Sequence, residues 1–389
     1  MSGPLDGVKV VELGVWVAAP ATGGILADWG ADVIKVEPPS GDPARTFGRM
    51  LGLGDEVNPP FEMDNRSKRS VVADLTSAPG QAVVRELLRT ADVFVTNVRP
   101  SALRRLGLDF ESVAAGNPRL VYGLITGYGT AGPDADRAAY DVAAFWARAG
   151  LAHLLTPPGQ DPPFQRGGMG DHSVGMTLAA AVCAALVSRA TTGAGQLVTT
   201  SLYRQGAYTI SFDLNTFLLT GRQIAIGQRE SMGNPCMNNY VARDGRRFWI
   251  VGLEGERHWP ALCRSVQRED WLTDDRFATG RARAVNAREL IAELDAVFAT
   301  RPLAEWAEIF AAEPDLFWSP INSLEDVVSD DQFHEAGGAV YVPDGDGAVP
   351  MVATPADFHG TPCAPRSGAP RLGEHTDDVL ADPQAAWLT

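Results

Sequence analysis

Apolar and polar positions along the first third of the chain alternate between two periods. VKVVEL (8–13), ADVIKVE (31–37), SVVADL (70–75), DVFVTN (92–97) and RLVYGLIT (119–126) are short, nearly continuous apolar runs, the pattern of strands buried on both faces. Segments of helical character lie between them: PATGGILADWG (20–30), which closes on Gly30, PGQAVVRELLRTA (79–91), and a short basic helix within VRPSALRRLGL (98–108). Strands separated by helices predict parallel strands with right-handed crossovers, and so a Rossmann-like, doubly wound α/β sheet.

The pattern changes near Tyr240. YVARDGRRFWIVGL sets Asp244-Gly245 between two strand-like runs, a hairpin signal, and NARELIAELDAVFA (286–299) and PLAEWAEIFAA (302–312) repeat apolar residues at helical spacing. A smaller α+β domain is expected here. From Pro343 onward PDGDGAVP and PCAPRSGAP read as a loop-dominated tail ending in LGEHTDDVL. At 389 residues the chain exceeds what one hydrophobic core usually supports. The expected division is a large domain over 1–205, completed by 340–389, and a small domain over 230–325, with linkers at 206–229 and 326–339.

A formal net charge of -15 argues against nucleic acid or an anionic membrane as the main partner, since both require a broad basic surface. Cys183, Cys236, Cys263 and Cys363 lie far apart without a CxxC pair, so neither a disulfide framework nor a zinc site is expected. The first residues, MSGPLDGVKVVELG, carry Asp6, Lys9 and Glu12 where an export signal requires an apolar core. The apolar run Val174 to Val187 is shorter than the ~20 residues that span a bilayer. A cytoplasmic location is the expectation.

The first βα turn, LGVWVAAPATGG, holds Val15, Trp16 and Val17 where a dinucleotide-binding turn has glycines, which argues against a nicotinamide enzyme. RGGMGDHSVG (166–175) places one carboxylate, Asp171, ahead of the long small-residue apolar run. Two readings fit it. Aspartate is a favoured helix N-cap, and a carboxylate at the positive end of a helix, beside glycines that admit close approach, also suits a nucleophile toward an activated acyl group. His172 follows it and reads as a surface or supporting residue, because adjacent helical residues point in different directions. Basic residues gather in NRSKRS (Arg66, Lys68, Arg69) and around Arg99, Arg104 and Arg105, near the expected C-terminal ends of parallel strands, where a phosphate-rich ligand would suit them.

In order along nearly the whole chain, PLDGVKVVELG, LADWGADVIKVEPPSGDPAR, NRSKRSVVADL, ADVFVTNVRPSALRRLGLD, NPRLVYGLITGYG, AYDVAAFWARAG, GMGDHSVGMTLAAAVCAALVSRATTGAGQLV and GEHTDDVL resemble the family III CoA-transferases. This group includes formyl-CoA transferase, carnitine CoA-transferase and the α-methylacyl-CoA racemases. The resemblance implies that Asp171 is the nucleophile. It would form an acyl-aspartyl anhydride from an acyl-CoA and then an aspartyl-CoA thioester that an acceptor carboxylic acid opens, with CoA as the only cofactor and no metal or redox group. By position it assigns CoA contacts to Val17, Ala73, Asp74, Asn97, Val98, Arg105, Arg104, Lys68 and Tyr140, with Arg105 the best phosphate partner by its forked geometry. It further implies a homodimer of interlocked rings, with the C-terminal tail returning to the large domain, and substrates that are an acyl-CoA and a carboxylic acid rather than nucleic acid or membrane.

Three departures stand out. Val17 replaces a glutamine of formyl-CoA transferase, which puts formate or oxalate chemistry in doubt. Tyr140 stands before Asp141 where the racemases carry a histidine, so proton transfer between two faces of an α-carbon lacks its usual second acid/base. SMGNPCMNNY (231–240) lacks the glycine-rich lid of formyl-CoA transferase, and its GNPCMNN stands in place of the more usual proline-bearing lid pattern near the acyl site, which implies an unusual substrate specificity. The alternatives to a transferase are an acyl-CoA racemase or epimerase, and a protein that binds CoA thioesters without turnover.

Overall fold

The computed structural model describes residues 3–54, 56–224 and 228–388, which form two compact units, Met1–Ile224 with Gln332–Thr389 and Ala225–Asp331. The first unit is built on six parallel strands: β1 (Lys9–Leu13), β2 (Asp32–Glu37), β3 (Arg69–Val72), β4 (Val93–Thr96), β5 (Val121–Thr126) and β6 (Leu197–Ser201). They lie in the order β3-β2-β1-β4-β5-β6, each pairing in parallel register with its neighbour, for example Val11 with Ile34 and with Phe94. The five expected strands match β1 to β5. β6 escapes the apolar pattern because LVTTS carries a polar half and is only partly buried.

Central strands read as unbroken apolar runs because both faces are covered. One face packs helix Ala18–Asp28 and the long helix Met169–Thr192 around Val10, Val33, Val93 and Val121; the other packs Val11, Ile34, Phe94 and Tyr122 against helix Ala78–Thr90. Helix Met169–Thr192 has 24 residues, and an 18-residue window within it has a mean hydropathy of 1.6, long and apolar enough to cross a bilayer by composition. Its Val174, Leu178, Ala179 and Val182 are instead buried in the core beneath helix Ala18–Asp28, where Gly175 permits contact so close that a Cβ would lie 3.0 Å from Ala21.

The second unit holds an antiparallel sheet of β7 (Met237–Val241), β8 (Arg247–Val251) and β9 (Trp318–Pro320), with helices Gly255–Ser265, Ala287–Phe298 and Leu303–Ala311 packing Tyr240, Phe248, Phe298, Trp306 and Phe310 into one aromatic core. The last four residues of 231–240 thus lie in the strand β7, and the Tyr240 hydroxyl is buried on Pro235 O.

The tail is more ordered than its glycine and proline content suggested. PDGDGAVP closes a hairpin of β10 (Ala339–Asp344) and β11 (Gly347–Val352), in which Asp344 pairs with Gly347. Farther on, the His375 N–H donates to Ser70 O, Thr376 Oγ1 accepts the Val72 N–H, and Trp387 Nε1 donates to Thr90 Oγ1, all on the first unit.

Candidate functional site

Chain order reverses between β1 and β4, and open α/β sheets place ligands beyond the strand ends at such a point. The turn after β1 is tightly held there. Asn97, just past β4, accepts the Val15 N–H at 3.0 Å and donates to Val15 O at 2.8 Å. Trp16 adopts φ 66°, unusual for a bulky residue, while Asp42 Oδ1 accepts its N–H at 3.0 Å.

Asp42 belongs to a charged network inside the fold. Lys35 donates to Asp42 Oδ2 at 2.8 Å and to Glu12 Oε1 at 2.9 Å, and Lys68 donates to Glu12 Oε2 at 2.6 Å, with all four side chains inaccessible or nearly so. Burial opposes the charge on Lys35, but Glu12 and Asp42 outweigh it and hold its ammonium well above the usual lysine range. Burial pulls Lys68 down, since it shares its one carboxylate with Lys35. Asn65 Oδ1 and Pro20 O take its remaining donors.

Asp171 sits in the first turn of helix Met169–Thr192, as its third residue, so it is not the N-cap. The cap is Gly168 at φ 75°, which has no side chain of its own to cap the helix and where a Cβ would lie 2.9 Å from the His172 ring. The capping acceptor comes from elsewhere in the chain. Asp141 Oδ2 receives the Gly170 N–H at 3.0 Å and the Asp171 N–H at 3.4 Å, leaving Oδ1 buried without a partner among the described residues. Asp141 opens a π-helix, Val142–Arg148, a form that recurs at functional sites.

Burial first, and then the like charge of Asp141, push the Asp171 carboxyl up to about 7, against an opposing pull from His172 that exceeds the further push from Asp64. His172 turns away to hydrogen-bond the buried Asp64, Nε2 to Oδ1 at 3.0 Å. Burial opposes its charge, but that bond and the neighbouring carboxylates raise its pKa.

A cavity of about 100 Å³ joins these parts, with Asp171, Asp141, Trp16 and Val17 in its wall beside Ala18, the first residue of its helix. Of the residues expected to touch the ligand, Val17, Asn97 and Tyr140 line it together with Asp171. Ala73 is core, and Asp74 caps a local turn through Thr76 at the sheet's edge; Val98 half-packs against the core, and Arg104 and Arg105 are exposed on helix Pro100–Leu106. None of these five is in the cavity wall.

Lys68 is a correction. It is a buried partner of Glu12, and its neighbours Arg66 and Arg69 are likewise forked onto Asp28 and Asp32, so NRSKRS is an internal charge network rather than a phosphate site. Arg99 and Arg137 are the exposed cations that the structure does bring to the cavity. Arg137 carried no periodic signal, and Asp141 showed its role only through a contact 30 residues away.

Two of the other cavities on the first unit lie near the long helix and the C-terminal tail. One, about 310 Å³ and apolar, runs beside His172, Met63 and Met176; the other, about 410 Å³, is bounded by Asp28 and Cys363, whose thiol burial pushes up. Neither includes Asp171.

The model of CoA-transferase family III matches residues 5–376. The chain is 33% identical over 383 residues to (R)-2-hydroxy-4-methylpentanoate CoA-transferase of Clostridioides difficile, covering 97% of this chain and 94% of that protein. It is 36% identical over 289 residues to cinnamoyl-CoA:phenyllactate CoA-transferase of Clostridium sporogenes, covering 72% of this chain and 70% of that one. A crystal structure of a CAIB/BAIF family protein from Brucella suis superposes with a TM-score of 0.86 at 33% identity, covering 98% of this chain and 99% of that chain. A carboxylate held in a cavity at the switch point of this sheet, in a chain so matched, belongs to an enzyme of CoA-transferase family III.

Proposed function

We propose that Asp171 is the nucleophile through which this CoA-transferase moves CoA from an acyl-CoA to a free carboxylic acid. The observation that carries this reading is the placement of Asp171: a carboxylate largely buried in the switch-point cavity, held beside Asp141 and made more basic than an exposed aspartate. A more basic carboxylate is a stronger nucleophile once ionised.

Its oxygen attacks the thioester carbonyl, and collapse of the tetrahedral adduct expels CoA thiolate and leaves an acyl-aspartyl anhydride. The thiolate attacks the aspartyl carbonyl, releasing the donor carboxylate and forming an aspartyl-CoA thioester. The acceptor carboxylate attacks that thioester, thiolate leaves again, and its attack on the acceptor's acyl carbonyl yields the new acyl-CoA and free Asp171. Val17 caps helix Ala18–Asp28 without a side-chain hydrogen bond, so the N–H of Ala18, at the cavity wall, suits the developing oxyanion. Arg99 and Arg137 suit the CoA phosphates.

Helix Ser211–Thr220 has no buried residue, with Phe212, Leu218 and Leu219 exposed, which supports a homodimer that covers this face, and with it the interlocked assembly. Four free thiols fit a reducing, cytoplasmic setting. Mass spectrometry of wild type and Asp171→Ala after incubation with a panel of acyl-CoAs and hydroxylamine trapping tests the chemistry. A hydroxamate on the Asp171 peptide is expected; its absence across the panel would favour CoA binding without turnover. Light scattering tests the dimer, which a monomeric mass would exclude.

A further inference from the structure

The turn after β1 presents a puzzle that the mechanism does not use. A glycine at position 16 would adopt φ 66° freely, yet this chain holds a tryptophan there. The conformation is enforced from two sides. Asn97 brackets Val15, and Asp42, itself fixed by the buried Lys35, accepts the N–H groups of both Trp16 and Ala44. Gly14 removes the remaining slack, since a Cβ there would lie 2.6 Å from that of Ala19. Strain maintained by so many contacts points to a use for the side chain that it displays.

The indole is half-buried, and it shares the wall of the Asp171 cavity. Its ring lies 5.5 Å from Phe47 and 6.1 Å from Tyr140, the latter edge to face, so Phe47 backs the indole while Trp16 and Tyr140 together present aromatic surface in the cavity wall that holds Asp171. Val17 extends that surface with an apolar side chain. Arg45, on the segment leading to Phe47, is forked onto Glu37 and bonded to Pro370 O, and so is committed within the fold. A hydrocarbon or aryl group gains from such a wall by apolar burial and edge-to-face contact, whereas a terminal carboxylate set against these rings loses its hydration, Arg99 and Arg137 of the same cavity being assigned to the CoA phosphates.

We propose that Trp16 is the specificity-determining residue for the acyl group, selecting aryl acyl-CoAs over dicarboxylic and two-carbon ones. The inference rests on the reading of Asp171 as the acyl acceptor. The strained turn is then a device for aiming an indole at the group that Asp171 receives.

The test is the single-turnover rate of Asp171 acylation, per unit of acyl-CoA, for phenylacetyl-CoA, succinyl-CoA and acetyl-CoA, in wild type and in Trp16→Gly, Trp16→Leu and Trp16→Phe. Wild type should favour phenylacetyl-CoA over each of the others by about tenfold or more. Trp16→Gly and Trp16→Leu should each lower the phenylacetyl-to-acetyl ratio by about tenfold, while Trp16→Phe retains most of it. Leucine keeps bulk without the ring and leaves backbone freedom unchanged, so the ratio can be read even if the glycine variant folds poorly. Equal losses for all three thioesters, or a wild-type preference for succinyl-CoA, would overturn the assignment of Trp16 while leaving Asp171 as acceptor. No Asp171 adduct with any of them would overturn both.

Discussion

Asp141 lies across the first turn of the helix that carries Asp171, and its Oδ2 accepts the Asp171 N–H at 3.4 Å and the Gly170 N–H at 3.0 Å. One carboxylate thus supplies the cap that the sequence of the turn lacks, and its charge bears on the other. The arrangement fixes Asp171 in place and makes its ionisation unfavourable.

Because Asp171 is pushed up to about 7, its acylation by an acyl-CoA should rise with pH through about 7 as the reactive carboxylate forms. Removing the neighbouring charge in Asp141→Asn should shift this rise to lower pH, since the like charge no longer opposes ionisation. A pH series of single-turnover adduct formation on both proteins checks the sign. A rise centred near the ordinary aspartate range in wild type would contradict it.

The same shift has a consequence for stability. A carboxyl whose folded pKa lies above its unfolded value binds its proton more tightly when folded, so stability falls as pH rises from about 4 to about 7 and the loss is complete above that. Asp171→Asn should therefore be inactive yet more stable than wild type at pH 8, by ~2 kcal/mol or more. The advantage should shrink as pH falls toward 4, which denaturant titrations at several pH values would follow.

Gly170 leaves no room for a side chain: an added Cβ would stand 2.3 Å from Asp141 Oδ1 and 2.4 Å from Phe145 Cγ. Gly170→Ala should push Asp141 off the helix terminus, lowering stability by about 2–3 kcal/mol and slowing acylation. Thermal melts and adduct rates measured together check both.

Lysine and arginine near this site should separate by role. Lys68→Met leaves Asn65, Pro20 and one Glu12 oxygen without their buried donor, so a loss of ~3–5 kcal/mol of stability is expected. Arg99→Ala and Arg137→Ala remove exposed cations of the cavity, so the melting temperature should hold while KM for acyl-CoA rises about tenfold. Comparing melts with KM across the three variants distinguishes them. A Lys68 variant of normal stability and raised KM would reverse the assignment.

Much of the fold was legible because period and burial are local properties of a chain. Continuous runs such as DVFVTN and RLVYGLIT identify buried parallel strands, and Asp244-Gly245 between two strand-like runs identifies the hairpin of β7 and β8. RGGMGDHSVG displays a carboxylate at a helix start through local composition alone, and the ordered motifs point to the family that residues 5–376 match.

What tertiary structure decided is who meets whom. Lys68 and Arg104 are both basic residues near strand ends, but only the fold shows that one is paired with Glu12 56 residues away and the other stands at the surface. Glycines and prolines at 343–350 suggested a loop, yet antiparallel pairing of Ala339–Asp344 with Gly347–Val352 leaves only Gly345 and Asp346 of that stretch outside a strand. Trp16 in its left-handed conformation, Asp141 as a remote cap and Arg137 at the cavity all depend on contacts between distant segments. Local sequence carries propensity and periodicity, while the pairing of charges, the strain of a turn and the shape of a cavity exist only once the chain has closed on itself.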